Sequence, residues 1–294
     1  MSKKRLDLLL LERGLAESRE KARALIMAGE VFADGERVDK AGAQISEGAE
    51  LEVRVPLSPF VSRGGKKLAK ALESFDISLE GLVCADIGAS TGGFTDCMLQ
   101  NGATRVYAVD VGYGQLAWKL RSDERVVCLE RRNARHLTAE DIPEELDFAG
   151  ADVSFISLRL IFPALVPLMK EGAAGVFLIK PQFEAGREKV GKKGVVRDAA
   201  VHVEVINAVL GYLEENGLRA LSLDFSPIKG PEGNIEYLVY AKKEDGKRLS
   251  GPNADTELPF EGKYSENSTQ TGSFRERDGL DAQAVVERAH ESLD

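Results

Sequence analysis

Apolar and polar positions along this chain fall into three regimes. Over residues 1–54, Leu6, Leu9 and Leu10 recur at helical spacing, and Gly14 closes the run. A second helix is expected from Ser18, a favourable N-cap, to Gly29, with Ala22, Leu25 and Ile26 on one face and Arg19 and Arg23 on a neighbouring polar stripe. VFADGERV then reads as a β-hairpin about Asp34-Gly35, and a further strand, LEVRV, leads into the linker VPLSPF. From Val61 to Lys243 the apolar runs LVCADIG, RVYAVDV, RVVCLE, FAGADVSFI, GVFLIKP, ALSLDF and IEYLVYA alternate with helical patterns. That alternation predicts an α/β fold, doubly wound, with seven strands in a mostly parallel sheet. The last two strands lack a helix between them, so a hairpin is expected at one sheet edge. Residues 244–279 are rich in Gly, Ser, Asn, Asp and Glu and are expected to be a disordered insertion. In residues 280–294, AQAVVERAHESL places Ala284, Val285 and Leu293 in a helical pattern expected to fold back onto the α/β domain. The expected division is therefore 1–60, a small α+β domain with its linker; 61–243, the α/β domain; the insertion; and the last helix.

Composition narrows the class. The 294 residues carry a net charge of −9, which taken alone argues against nucleic acid. The charge is unevenly spread. Residues 244–294 hold 12 acidic against 6 basic residues, whereas residues 1–70 hold 14 Lys/Arg against 11 Asp/Glu. A basic, RNA-facing surface at the N-terminal end thus remains open. No apolar stretch reaches the roughly 18 residues of a membrane span, and the short run Leu8–Leu11 is no signal peptide. Cys84, Cys97 and Cys128 form no CxxC pair, and three scattered histidines offer no zinc spacing, so no metal is expected. A cytoplasmic protein is expected.

The clearest chemical signal is the turn after the first strand of the α/β domain, Ala85-Asp86-Ile87-Gly88-Ala89-Ser90-Thr91-Gly92-Gly93-Phe94-Thr95. It falls at the carboxyl end of the sheet, where open α/β folds bind ligands, and its glycines would let backbone approach one closely. Asp110 ends the next strand, placed to accept hydrogen bonds from ribose hydroxyls. Ser90 stands where a dinucleotide fold has its second glycine, and SRGGKKL lacks the spacing of a P-loop. A loop without diphosphate-cradling features, backed by an acidic ribose clamp, suits a nucleoside cofactor that has no phosphate. S-adenosylmethionine is the candidate, with Asp86, Gly88, Ser90, Thr91, Gly92, Gly93, Phe94 and Asp110 as candidate contacts. A bare Gly turn between strand and helix is the bland alternative.

Four polar residues interrupt apolar elements: Lys67 after SRGG, Asp152 within the strand ending ADVSFI, Lys180 at the end of GVFLIKP, and Glu236 in IEYLVY. Buried charges are costly unless paired, and these four are one another's natural partners. Such a cluster can lower the pKa of one ammonium until it serves as a base, as deprotonating a ribose hydroxyl requires. Taken singly, each reads as a solvated helix lysine or a structural ion pair.

At these residues the chain resembles a known family. Lys67, Asp152, Lys180 and Glu236 look like the Lys–Asp–Lys–Glu set of FtsJ-type ribose 2′-O-methyltransferases. The N-terminal helix–helix–hairpin is similar to the small RNA-binding domain named after a small-subunit ribosomal protein. With VSRGGKKL, GASTGGFTD, ADVSFISL, IKPQFE and GNIEY in this order, the chain resembles the TlyA family, rRNA cytidine 2′-O-methyltransferases that also carry the label haemolysin. The resemblance implies a Rossmann-like class I methyltransferase fold, S-adenosyl-L-methionine as cofactor, and ribosomal RNA or ribosomal subunits as partner. It implies Lys180 as general base, with Lys67, Asp152 and Glu236 positioning it and the ribose, and places Asn133 and Asp152 beside the cofactor. Phe94 stands where such enzymes often carry Trp. RNA contact is expected through Arg5, Arg19, Lys21 and Arg23, by shape and phosphate. Three rivals remain. A pore former needs a membrane-seeking segment that is not visible. A pseudouridine synthase needs an RLD motif in the α/β region, whereas here Arg5-Leu6-Asp7 is expected within the first helix of the N-terminal domain and no second RLD follows. A decayed, RNA-binding-only domain would not keep all four polar positions filled.

Overall fold

The computed structural model describes residues 3–16, 18–27, 29–38, 40–53, 59–244 and 280–293. The chain divides into two compact units, Met1–Pro59 and Phe60–Asp294.

The first unit runs β1 (Lys3–Arg5), α1 (Leu6–Glu12), α2 (Arg19–Met27), β2 (Val31–Ala33), β3 (Glu36–Arg37), β4 (Gln44–Ser46) and β5 (Leu51–Val53). Its core is built from Leu6, Leu10, Ala22, Ile26 and Val31, the faces that the helical spacing marks out. Ser18 caps α2, its Oγ accepting from Lys21 N at 3.1 Å. Asp34 and Gly35 both have positive φ, 51° and 82°, the pair of left-handed residues that a two-residue hairpin turn demands. The antiparallel β1–β4 pair was not expected; three-residue strands carry too little alternation to read. Arg5 also differs from expectation. It ends β1 instead of lying within the first helix, and it points to Asp7, which is fully buried. Arg5 Nε and Nη2 donate to the two Asp7 oxygens at 2.9 and 3.0 Å, and Arg19 Nε donates to Oδ2 at 2.9 Å. The Arg5 hydrogen bonds, aided by Arg19 and opposed by burial, hold the Asp7 carboxyl far below the usual carboxylate range.

The second unit runs α3 (Gly64–Ser74), β6 (Val83–Ile87), α4 (Gly93–Gln100), β7 (Arg105–Asp110), α5 (Trp118–Arg121), β8 (Val126–Glu130), β9 (Leu146–Ala151), α6 (Phe162–Leu165), β10 (Met169–Ile179), α7 (Pro181–Glu184), α8 (Ala199–Glu215), β11 (Leu218–Phe225), β12 (Tyr237–Lys243) and α9 (Ala282–Leu293). Seven strands pair in the order β11-β12-β10-β9-β6-β7-β8. The five from β10 to β8 are parallel, and β12 runs antiparallel to both β10 and β11. The fold is thus α/β with a mostly parallel sheet and the expected hairpin at one edge. Side chains alternate between two apolar layers with the period of two that a strand imposes. Cys84, Val106, Val176 and Leu238 pack with α3 and α4 residues such as Leu68, Leu72 and Met98. Ala85, Tyr107, Phe177 and Val239 pack with α8 and α9 residues such as Val205, Val209 and Val286.

Three boundaries differ from expectation, and the differences matter. The run FAGADVSFI is strand only as far as Ala151, so Asp152 lies one residue beyond β9. Glu236 does not interrupt a strand; it precedes β12 by one residue, as Lys180 follows β10 by one. Inside a strand each charge would point into an apolar layer at a cost of several kcal/mol, about the penalty for an unpaired buried ion. One residue past the end, the side chain is free to turn into the crevice. In α9 the buried face is Ala282, Val285, Val286 and Ala289, whereas Ala284 and Leu293 are only half-buried. The expected insertion lies, apart from Glu244, outside the described residues. Among the described residues no helix is long and apolar enough to cross a membrane, and no cluster of metal-ligating side chains occurs.

Candidate active site

Because β12 is antiparallel to β10, its first residue lies at the same sheet edge as the last residues of β9 and β10. Asp152, Lys180 and Glu236 therefore meet there, and Lys67 reaches them from the first turn of α3. The four form a chain of contacts. Lys180 Nζ is 2.5 Å from Asp152 Oδ1, Lys67 Nζ is 3.1 Å from Asp152 Oδ2, and Lys67 Nζ is 2.7 Å from Glu236 Oε2. Lys180 also donates to Ser154 Oγ at 3.1 Å. Lys67, Lys180 and Glu236 are buried, and the Asp152 side chain is 16% exposed. Two cations and two anions balance, which is how four charges tolerate one low-dielectric place.

Burial alone would lower the Lys67 ammonium, but Asp152 and Glu236 outweigh it and hold its pKa above the ordinary lysine value. Burial pushes Asp152 the other way, and Lys180 and Lys67 overcome it, holding its carboxyl below the usual range. The expected lowering of a cluster ammonium does not occur at Lys67. Lys67 is gripped by two carboxylates.

Two adjoining clefts flank this chain of charges. The larger, about 510 Å³, is lined by Gly88, Ser90, Asp110, Asn133, Asp152 and Phe155 among others. The smaller, about 260 Å³, takes in Lys67, Asp86, Gly93, Phe94, Lys180 and Thr91. They share Gly88, Ser90, Asp152 and Ser154, so the lysine cluster opens into the crevice beside the glycine turn. Asp110 is preset: its Oδ2 accepts from Ser90 N at 2.8 Å and its Oδ1 from Gly112 N at 2.6 Å. Asn133 Oδ1 accepts from Arg135 N at 3.1 Å.

The glycines have reasons other than the ligand approach expected of them. A Cβ on Gly88, at φ +86°, would stand 2.8 Å from the Asp152 carbonyl oxygen; one on Gly93 would stand 2.7 Å from Gly65 N. The turn is Gly-rich so that β6 can lie against the Asp152 backbone and α4 against α3. Gly92 lines neither cleft and faces Leu120 of α5. Asp86, at the end of β6, is wholly buried. Its Oδ2 accepts from Thr95 N and Oγ1 at 2.8 and 2.7 Å, while its Oδ1 has no hydrogen-bond partner. Burial pushes its carboxyl up to about 7, with the Thr95 hydrogen bonds pulling back.

The structure brings forward residues the sequence did not mark. Ser154 and Phe155 follow Asp152, and Phe155 has φ +63°, is 91% exposed and lies 5.1 Å from the Phe183 ring. In VSFI it reads as a strand residue; only the early end of β9 frees it. In the first unit, Lys21 and Arg23 are exposed, whereas Arg5 and Arg19 are committed to Asp7.

Residues 60–243 match the model of the FtsJ-like methyltransferases, and residues 4–51 match the S4 domain. The chain is 54% identical to a candidate rRNA methyltransferase, YqxC, of Bacillus subtilis, over 81% of this chain and 85% of the relative. It is 46% identical to the 16S/23S rRNA (cytidine-2′-O)-methyltransferase TlyA of Mycobacterium tuberculosis, over 84% and 92% of the two chains. A solved structure of a candidate hemolysin from Streptococcus thermophilus superposes with a TM-score of 0.71 at 43% identity, covering 99% of this chain and 97% of that one.

Proposed function

Because this chain belongs to the TlyA branch of the FtsJ-like methyltransferases, we propose that it methylates a ribose 2′-hydroxyl of ribosomal RNA, at a cytidine, using S-adenosylmethionine. The observation that carries this reading is the buried Lys180–Asp152–Lys67–Glu236 chain of contacts, opening into a crevice of about 510 Å³. The residues present suit the cofactor. Asp110 offers oriented carboxylate oxygens to a ribose, Val109, Val111 and Ile161 give apolar walls, and the unpartnered Asp86 Oδ1 calls for a hydrogen-bond donor or cation. When bound, S-adenosylmethionine supplies a sulfonium methyl open to nucleophilic attack.

Lys180 first releases its own proton to solvent; its Nζ then takes the hydroxyl proton, and Asp152 Oδ1 steadies the ammonium that re-forms. Lys67, held as a cation between Asp152 and Glu236, fixes the orientation of Asp152. The exposed Phe155 ring beside this point is the kind of surface on which an unstacked base rests. The S4 unit would bring Lys21 and Arg23 to RNA phosphates, with Arg5 and Arg19 shaping the surface through Asp7. Work on ribosomal RNA would place the protein in the cytoplasm. Incubating ribosomal subunits with labelled S-adenosylmethionine tests the reading; label in neither subunit's RNA contradicts it.

Two substitutions probe the cofactor crevice. Asp110→Ala should weaken S-adenosylmethionine binding by about ten- to a hundredfold, the worth of a charge-assisted hydrogen-bond pair. Unchanged affinity by calorimetry would remove Asp110 from the site. Asp86→Asn should move two properties in opposite directions. An acid raised to about 7 on folding stabilises the protein most below its unfolded value near 4, and that contribution is lost as pH rises through 7. The amide should therefore stabilise the empty protein at pH 8, by at most about 4 kcal/mol, while cofactor affinity falls. A purely structural Asp86 would leave affinity unmoved.

A further inference from the structure

Many cations of the catalytic unit have a carboxylate partner, among them Lys67, Lys70, Lys119, Arg121, Lys170 and Lys180. One segment concentrates cations that have none. Between α7 and α8, residues 185–198 carry Arg187, Lys189, Lys192, Lys193 and Arg197 against Glu188 and Asp198. Lys189 pairs with Glu204, and Asp198 caps α8. Arg187, Lys192, Lys193 and Arg197 are exposed and have no carboxylate partner among the described residues. Four like charges this close repel one another, and in a chain of net charge −9 such a concentration is an oddity that an anionic partner resolves.

The segment is also held in place. Lys192 and Lys193 occupy the corners of a turn closed by Gly194 N donating to Gly191 O at 2.8 Å, backed by Gly191 N to Val195 O at 3.1 Å. One end follows α7, which begins directly after Lys180 and is anchored by Glu184 accepting from Ser157 Oγ and Leu158 N at 2.6 and 2.8 Å. The other is tied to Asn234, two residues before Glu236. Val196 N donates to Asn234 Oδ1 at 3.0 Å, and Asn234 Nδ2 donates to Gly194 O at 2.9 Å. The cations are thus pinned to the two stretches of chain that deliver Lys180 and Glu236.

We propose that the Arg187–Arg197 segment is a second RNA contact, built into the catalytic unit, that grips the phosphate backbone flanking the target ribose. It rests on the RNA reading above and assigns part of RNA affinity outside the S4 unit. Phosphates are favoured over an acidic protein because Val195 and Val196 are buried and Val190 is half-buried. The segment offers charge without an exposed apolar anchor, which suits phosphate contacts and not a protein interface.

The test uses the full chain with Arg187, Lys192, Lys193 and Arg197 all changed to alanine, and a charge-retaining partner with R187K, K192R, K193R and R197K. Ribosomal RNA affinity is measured against salt, S-adenosylmethionine affinity by calorimetry, and single-turnover methylation at saturating RNA. In the alanine variant, RNA affinity should fall by about 10- to 100-fold at 0.15 M salt. The slope of log affinity on log salt should flatten by about 3, as loss of four phosphate contacts requires. Cofactor affinity and the saturated rate should stay within about twofold of wild type, and the charge-retaining variant should restore both affinity and slope. An alanine variant with wild-type affinity and slope overturns the proposal while the methyltransferase reading stands. A loss that the charge-retaining variant fails to rescue overturns it too. A wild-type protein that methylates no RNA takes down both.

Discussion

Lys180→Ala is expected to slow single-turnover methylation of ribosomal RNA by at least about 10³-fold while leaving cofactor affinity nearly unchanged. A general base contributes typically about 10²–10⁴-fold, and Lys180 also holds Asp152 at 2.5 Å, so the loss should fall in the upper part of that range. The fold should survive, because Asp152 keeps Lys67 at 3.1 Å and is not left as an unpaired buried charge. Lys180→Arg separates the two roles. A guanidinium keeps the positive charge but stays protonated in proteins, so it pairs with Asp152 and cannot take the hydroxyl proton. Both variants should be nearly inactive. Robust transfer by Lys180→Arg would show that this position supplies only charge. Lys67 is then a poor substitute, because its two carboxylates hold it as the ammonium.

Asp152→Asn should be the more damaging change overall. Its carboxylate is shared by two buried ammonium groups, so the amide leaves Lys180 and Lys67 facing each other with only Glu236 to balance them. Removing one partner from such a cluster costs about 3–5 kcal/mol. Asp152 also lines both clefts, so cofactor affinity should fall along with transfer, unlike in Lys180→Ala. The pH dependence has a definite sign. Asp152 is depressed in the folded protein, so its contribution is complete above the unfolded value near 4 and is lost as pH falls. The stability gap between wild type and Asp152→Asn should therefore be widest near neutrality and narrow in acid. Denaturation at pH 7 and at a pH well below about 4 reads this directly; a gap independent of pH would mean that Asp152 acts by packing alone.

Much of this was legible in the sequence. Seven apolar runs separated by helical patterns indicated the mostly parallel sheet, and the absence of a helix after ALSLDF indicated the edge hairpin. The four charged residues stood out because apolar strands reject unpaired charge. Their placement was not legible. ADVSFI keeps an unbroken apolar pattern past Ala151, so nothing in it reveals that the strand ends before Asp152 or that Phe155 turns outward. Periodicity records burial, and a residue one step beyond a buried strand is still surrounded by apolar neighbours.

The glycine turn was found for a reason the structure revises: Gly88 and Gly93 are there to let backbone meet backbone, with the ligand crevice a consequence. Arg5 and Arg19 are read from sequence as RNA contacts, with Lys21 and Arg23, because a compact basic face suffices for contact by shape and phosphate. Only the burial of Asp7 shows where their guanidinium groups are spent. In sequence the Arg187–Arg197 segment carries no motif that sets it apart. What changes its meaning is the Asn234 tie and the four cations left without a carboxylate partner among the described residues.

The most direct measurement is the position of the methyl group. Ribosomal subunits incubated with S-adenosylmethionine and either wild-type protein or Lys180→Ala should be mapped for 2′-O-methyl ribose by resistance of the adjacent phosphodiester to alkali. The account predicts protection at a cytidine with the wild type and none with Lys180→Ala. A methyl group found on a base, or protection that persists without Lys180, would contradict it.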